Sequence, residues 1–374
     1  DAEPEFVDVP DESTAVLLFT SGTTRAPKGV ILRHEHLVSY VLQTVDPGSA
    51  DDADAALVSV PPYHVAGVGT VLTNTAAGRR VVHLPDFAAD GWLDVVVTEG
   101  ITNAMVVPTM LSRIVDHLDG AQANVSTLRS IAYGGARVSH PVLAAALKAF
   151  PETGFVNAYG LTETSSTIAL LDADDHRSAL TSDDPAVQAR LSSAGKLIPG
   201  IEAQVRGEDD ELLPVGEAGE LWVRGPQVSG EYLGRGSVVD ADGWFPTRDR
   251  AWLDSEGYLF IEGRTDDTII RGGENIAPAE VEDVLVEHPD VHEVAVVGVP
   301  DDEWGECIVA VVVLRAPDNG VAHREVDPEE LRAFARKSLR GSRTPDRIVF
   351  RTELPVTPTG KLLRRVLVDE LSAE

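Results

Sequence analysis

Between Ala55 and Ala158 the chain repeats one alternation: a short apolar run with strand character, then a longer segment whose apolar positions recur at helical spacing. The strand-type runs cover residues 55–61, 104–107, 130–133 and 155–158, and the helical patterns cover 35–44, 67–76, 109–118 and 141–150. Strands separated by helices pair in parallel within layered folds, so this half is expected to form a layered α/β domain with ligands at its strand ends. From residue 195 to 264 the pattern becomes strand and turn, clearest at Glu220-Leu221-Trp222-Val223 and Tyr258-Leu259-Phe260-Ile261, which predicts a β-rich subdomain. Beyond Arg264, helices over 278–287 and 328–339 and strands over 293–299, 308–314 and 347–351 predict a compact α+β unit. The expected division is 1–194, 195–264 and 265–374, with the junction at 265–267.

A chain of 374 residues with 43% hydrophobic content can bury a large core and fill more than one domain. Its formal net charge of -30 excludes a generic nucleic-acid or anionic-membrane partner, because most of such a surface repels both. An acidic surface exposed to solvent accounts for the excess. No apolar run reaches the length of a bilayer, and Asp1-Ala2-Glu3-Pro4-Glu5 is unlike a signal peptide, so a cytoplasmic location is expected. The single cysteine, Cys307, rules out an intrachain disulfide and lies in a Val/Ile-rich stretch, as a core residue would.

Leu18-Phe19-Thr20-Ser21-Gly22-Thr23-Thr24-Arg25-Ala26-Pro27-Lys28-Gly29-Val30 places hydroxyls, glycines and a lysine directly after an apolar run. Hydroxyls and exposed backbone N–H groups donate to phosphate oxygens and a lysine adds a point charge, so the stretch reads either as a phosphate-handling loop or as a solvated turn. It is not a Walker loop, which needs G-x-x-x-x-G-K-[ST]. Of only five lysines, Lys28 and Lys361 fall in phosphate-type motifs. His34-Glu35-His36 lacks the spacing of a helical zinc site, and Gly67-Val68-Gly69 lacks the rest of a dinucleotide fingerprint.

Four further motifs follow in order: Asn157-Ala158-Tyr159-Gly160-Leu161-Thr162-Glu163-Thr164, Trp244-Phe245-Pro246-Thr247-Arg248-Asp249, the stretch Gly263-Arg264-Thr265-Asp266-Asp267 through Arg271-Gly272-Gly273-Glu274-Asn275-Ile276, and Pro358-Thr359-Gly360-Lys361. With the first loop they resemble the adenylate-forming superfamily of acyl-CoA synthetases, adenylation domains and luciferases. The resemblance runs from about Ser13 to about Leu367.

That resemblance implies an ATP-dependent carboxylate-CoA ligase, which forms an acyl-AMP and then a thioester, with ATP, Mg²⁺ and coenzyme A as its small molecules. Joining two anions and stabilising a departing pyrophosphate is chiefly an electrostatic task. Thr20, Ser21, Gly22, Thr23, Thr24 and Lys28 would hold the β- and γ-phosphates. Glu163 would hold the metal, since Mg²⁺ takes one or two carboxylates plus substrate phosphates. Thr162 would donate to the α-phosphate, and Tyr159, flanked by Asn157, Ala158 and Gly160, would stack on adenine beside Gly134, Gly135 and Ala136. Asp249 would accept from both ribose hydroxyls, with Arg264 reaching the ribose and phosphate region. Lys361, a compact charge on a long stem, would bridge carboxylate and α-phosphate from a mobile C-terminal domain. Asp266 matches the hinge position, and Gly272, Gly273 and Glu274 match the loop lining the pantetheine tunnel.

His64, Val65, Ala66 and Gly67, with Gly134 and Ala158, resemble the border of the acyl pocket. The segment lacks the aspartate that binds an amino-acid ammonium, which implies an uncharged organic-acid body with room for a sizeable acyl or aryl group. A satisfied core histidine is the lesser alternative reading of His64. Arg25 and Arg248 stand where the family usually has glycine, and only 16 residues precede Leu17, where family members carry a further subdomain. The chain is thus expected to be either a piece of a longer protein or a naturally short form. Two other readings stay open: delivery of the acyl group to a carrier-protein thiol, and a degenerate nucleotide-binding regulatory fragment.

Overall fold

The computed structural model of the chain describes residues 7–20, 28–315, 326–357 and 361–373. Its central sheet runs in the order Arg80–His83, Ala55–Val58, Asn103–Val106, Ser130–Gly134, Gly154–Leu161, Ser166–Leu171 and Lys196–Leu197. The first five strands are parallel and the last two antiparallel. Numbered by sequence, the parallel part reads 2-1-3-4-5, a doubly wound order that reverses between Ala55–Val58 and Asn103–Val106. Ligands in such sheets bind outside the carboxyl ends of the strands at that reversal.

One face of the sheet is covered by the helices Ala89–Thr98, Pro108–Leu118 and His140–Ala149. Ala104, Val106, Ile131, Tyr133 and Phe155 pack there against Trp92, Leu111, Ile114 and Leu143. The opposite face, which carries Met105, meets the helix Val65–Ala77, whose Thr70 hydroxyl reaches the Met105 sulfur at 3.1 Å. The expected helices are present with slightly different ends. Val65–Ala77 begins two residues before Gly67, because His64 caps it: Nδ1 accepts from the Ala66 N–H at 3.2 Å.

A small sheet pairs Thr14–Thr20 with Lys28–Arg33 and adds Glu231–Tyr232 and Gly236–Ser237. A four-stranded antiparallel sheet follows, Glu202–Arg206, Gly219–Arg224, Phe245–Leu253 and Leu259–Arg264, matching the strand-and-turn expectation. The last sheet is built on the hairpin Val291–Asp301 with Gly305–Leu314. Val296, Ile308, Ala310 and Val312 face the helices Pro278–Val286 and Pro328–Ala335, while Ala295, Val297, Val309 and Val311 face the helix Arg364–Leu371. Burial on both faces explains the unbroken Val/Ile runs in these strands. Cys307 lies half-buried in this hairpin, where burial pushes its thiol pKa up, as suits a packing residue. Among the described residues, no helix is long and apolar enough to cross a membrane.

Candidate active site

The carboxyl ends of the parallel strands carry one group of the residues singled out from the sequence. Ser130–Gly134 runs out into Gly135 and Ala136, which are exposed, and the neighbouring strand delivers Tyr159 and Gly160 beside them. Gly134 pairs with Ala158 so closely that a Cβ on it would sit 2.2 Å from the Ala158 carbonyl oxygen, so this position accepts glycine alone. Asn157 is turned toward the fold, its Nδ2 donating to the Ser193 carbonyl at 3.0 Å.

Tyr159 is fixed by its hydroxyl, which donates to Asp249 Oδ2 at 2.5 Å, while Arg264 Nη1 donates to Asp249 Oδ1 at 2.9 Å and to the Thr247 carbonyl at 3.0 Å. Burial and the adjoining Asp249 carboxylate push the Tyr159 phenol well above its ordinary pKa, so it stays a donor. Asp249 is itself buried, yet each of its oxygens retains a second lone-pair direction for a ligand hydroxyl. Arg248, where the resemblance expects glycine, keeps a left-handed backbone at φ 62° and sends its side chain toward Glu220, 3.8 Å away. The glycine conformation survives without the glycine, and the bulky cation is directed to the neighbouring strand.

Glu163 sits in the short turn Thr162–Thr164, and Ser165 and Ser166 behind it have φ of 58° and 115°. Two successive non-glycine residues at positive φ are costly and persist only where surroundings hold them. The segment from Gln227 to Tyr232, which the sequence reading passed over, does so. Fully buried Gln227 donates through Nε2 to the Thr164 and Thr167 carbonyls, both at 2.8 Å, and its own carbonyl accepts from the Ser165 hydroxyl at 2.8 Å. Ser229 N–H donates to the Glu163 carbonyl at 2.8 Å, and the Tyr232 hydroxyl donates to Glu163 Oε1 at 2.8 Å. Lys28 Nζ lies 5.7 Å from the centroid of the Tyr232 ring, a cation–π contact that links the end of the phosphate-type loop to the same tyrosine. Thr20 pairs with Lys28 across the two strands that frame that loop. Ser21, Gly22, Thr23, Thr24 and Arg25 lie outside the described residues.

Among the described residues no three His, Cys, Asp or Glu side chains form a metal-binding group. A magnesium ion needs none, because it retains waters and substrate phosphate oxygens beside one or two carboxylates. Glu163, with one oxygen held by a phenol and the other left for a cation, fits that requirement.

Lys361 is exposed, on the short bridge that pairs Val356 with Leu362, and its N–H donates to the Thr357 hydroxyl at 3.0 Å. Its charge acts on two groups elsewhere in the chain. Burial, then the Lys361 charge, lowers the pKa of His64, and the same charge helps offset the burial that raises the pKa of Asp267. His64 is therefore a neutral imidazole whose Nδ1 accepts from the helix, leaving Nε2–H as its donor. Asp266 and Asp267 occupy the turn Thr265–Asp267 that follows Leu259–Arg264. Gly272 and Gly273, at φ 58° and 83°, turn the hairpin between Ile269–Arg271 and Glu274–Ile276, a two-residue turn that requires positive φ at both positions.

A doubly wound sheet whose strand ends carry an acid and a tyrosine, the tyrosine bonded to an aspartate–arginine pair, fits a nucleotide-dependent, adenylate-forming enzyme. The family model described as AMP-binding enzyme matches residues 1–233, and that of the AMP-binding enzyme C-terminal domain matches 280–361. The chain belongs to the AMP-binding enzyme family. It is 37% identical over 362 residues to a 2-succinylbenzoate–CoA ligase of Bacillus cereus, covering 95% of this chain and 70% of that one. It is 35% identical over 379 residues to the fatty acid–[acyl-carrier-protein] ligase ScoC of Streptomyces coeruleorubidus, covering 99% and 70%. Among solved structures it is similar to o-succinylbenzoate CoA synthetase (MenE) from Bacillus subtilis. The complex with the acyl-adenylate OSB-AMP gives a TM-score of 0.82 at 30% identity, covering 96% of this chain and 69% of that one. The complex with ATP and magnesium ion gives 0.81 at 29%, covering 97% and 72%.

Proposed function

We propose that the protein is an AMP-forming acid–thiol ligase that activates a carboxylic acid with ATP and passes the acyl group to coenzyme A. In the first step a carboxylate oxygen attacks the α-phosphorus, the α–β anhydride bond breaks, and pyrophosphate leaves. In the second the CoA sulfur attacks the acyl carbon, AMP leaves with the bonding pair of the acyl–oxygen bond, and the thiol proton is lost to solvent. The observation that carries this reading is the hydrogen-bonded group of Tyr159, Asp249 and Arg264 at the crevice; after burial, the Lys361 charge lowers the His64 pKa, which supports a role for this lysine at the acyl border. There Lys361 neutralises carboxylate and α-phosphate as they meet.

Tyr159, held by Asp249, presents its ring to adenine between residues 134–136 and 157–160. Asp249 and Arg264 take the ribose, and Thr162 the α-phosphate. Thr20 and Lys28, with the loop between them, take the outer phosphates. Glu163 would hold Mg²⁺, which when bound supplies charge neutralisation along the triphosphate. The unit 265–374 turns about Asp266 against the units 1–194 and 195–264, and the second step brings the Gly272-Gly273-Glu274 turn to the crevice in place of Lys361. A cytoplasmic setting supplies both ATP and CoA.

The test is acid-dependent exchange of pyrophosphate into ATP over a panel of aliphatic and aryl acids, followed by thioester formation with CoA. Exchange without an acid, or with none of the panel, contradicts the reading. A second acceptor is favoured by the similarity to an acyl-carrier-protein ligase: thioester on a carrier protein and none on CoA assigns the chain to that reaction.

A further inference from the structure

On the sheet face opposite the three-helix layer, the strand-end crevice continues into a cavity of about 230 Å³ between the sheet and the helix Val65–Ala77. Ala66, Met105 and Ala158 line its upper end, next to the residues assigned to the acyl group, and Thr70, Asn74 and Arg79 line its floor. From Ala66 to Asn74 the helix advances two turns, roughly 12 Å. The wall grows more polar along that path: Thr70 and Thr73 bond their own helix, and Asn74 Nδ2 donates to the Thr70 carbonyl at 2.8 Å.

Among the described residues, Arg79 is the one charged residue lining this cavity and no carboxylate lines it, in a chain with 61 acidic residues. Its Nη1 donates to Asn74 Oδ1 at 3.0 Å, while its Nε is buried with no hydrogen-bond partner among the described residues. Among the described residues the guanidinium makes no ion pair either, and burial pulls its pKa down with no described acid to offset it. An unpaired, partly buried guanidinium is costly, and its planar fork of donors suits a carboxylate in a two-point bond.

We propose that the acid activated by this protein carries a second anionic group at its far end, a dicarboxylate in the simplest case, and that Arg79 binds that group. This inference rests on the ligase reading above and departs from the uncharged acid body that residues 61–67 imply by resemblance. Arg79 is a specificity residue that lies away from the reacting carboxylate. The reactive carboxylate lies at the Ala66 and Ala158 end, and the second one reaches the Asn74-held guanidinium.

The experiment compares ω-dicarboxylic acids from succinate to dodecanedioate with methyl-ended acids of equal length. Pyrophosphate exchange and calorimetric binding in the absence of ATP are both measured, on the wild-type protein, Arg79→Met and Arg79→Lys. The expected wild-type result is a kcat/KM at least about tenfold higher for the best diacid than for its methyl-ended counterpart. Arg79→Met should lose about tenfold to a hundredfold on the diacid alone, and Arg79→Lys should recover part of it. Retained exchange on methyl-ended acids shows that the variant is folded. Wild-type preference for methyl-ended acids, or equal loss on both series in Arg79→Met with Arg79→Lys unaltered, overturns the assignment. Diacid binding that depends on Arg79 without exchange on any acid keeps the Arg79 site and defeats the ligase reading instead.

Discussion

The Tyr232 hydroxyl donates to Glu163 Oε1 at 2.8 Å, and the same ring carries the Lys28 ammonium over its face. One side chain from a two-residue strand thus joins the end of the phosphate-type loop to the acid assigned to the metal. Burial, and then the Glu163 charge, raises the phenol pKa, so the donor persists across the working range. Tyr232→Phe keeps the ring and removes the hydrogen bond. Adenylation at limiting Mg²⁺ should fall about tenfold, with recovery at high Mg²⁺ and an unchanged KM for the acid. The check is exchange rate as a function of Mg²⁺ concentration; a loss that no Mg²⁺ concentration restores contradicts the positioning role.

Lys361→Ala should slow adenylation by at least about a hundredfold, the equivalent of ~3 kcal/mol from one preorganised charge. Transfer from preformed acyl-AMP to CoA should survive. Single-turnover rates of the two half-reactions separate these effects, and equal loss in both would assign Lys361 to structure.

The same variant has a second readout. Burial and the Lys361 charge hold the His64 pKa below its ordinary value of 6.5. The native state therefore binds fewer protons than the unfolded chain just below pH 6.5, and this part of the stability is present above that pH and lost as pH falls through the lowered pKa. In Lys361→Ala the His64 pKa should rise toward 6.5 without reaching it, because burial remains. Titration of the imidazole signals by NMR measures the shift, and an unmoved His64 would separate Lys361 from the acyl side of the crevice.

Arg248→Gly should stabilise the fold. The left-handed φ of 62° disfavours a side chain by about 1 kcal/mol, more than its exposed contact with Glu220 returns. The expected gain is roughly 0.5 to 1 kcal/mol in denaturant unfolding. A loss of stability would show that the contact with Glu220 outweighs the backbone term.

Gly273→Leu should block thioester formation and leave adenylation largely intact. With φ at 83°, any side chain strains this turn, so Gly273→Ala is the control that carries the strain without the bulk. No atom outside the turn lies within 4 Å of a Cβ built there, so the space available is solvent or ligand. Acyl-AMP accumulation with leucine and not with alanine assigns the obstruction to the pantetheine path; accumulation with both assigns it to the backbone.

Long, strongly patterned elements were legible in the sequence, as the helix Pro108–Leu118 and the hairpin Val291–Asp301 with Gly305–Leu314 illustrate. The strand Arg80–His83 was not, because it forms an exposed sheet edge with two valines between charged or polar neighbours. The helix Arg364–Leu371 was missed although the long apolar runs of the hairpin strands demand cover on both faces. In the candidate site, Glu163, Tyr159, Asp249 and Arg264 were singled out from motif order, and the hydrogen bonds that join Tyr159, Asp249 and Arg264, and Glu163 to Tyr232, came only with the fold. Tyr232 and Gln227 escaped notice because a two-residue strand and one buried amide leave no periodic trace. Arg79 escaped because its meaning lies in the absence of an acidic neighbour, a property of space and not of spacing.

The strand order has an evolutionary consequence. Since the helix Val65–Ala77 joins the first two strands of the 2-1-3-4-5 order, the floor of the acid cavity is written on its second half and the residues just after it, remote in sequence from residues 159–163 and 249–264. Substitutions at Thr70, Asn74 or Arg79 can redirect the choice of acid while leaving the groups assigned to ATP in place. Selectivity and activation chemistry are therefore separately mutable here, and a descendant lineage could exchange its acid without reinventing its reaction.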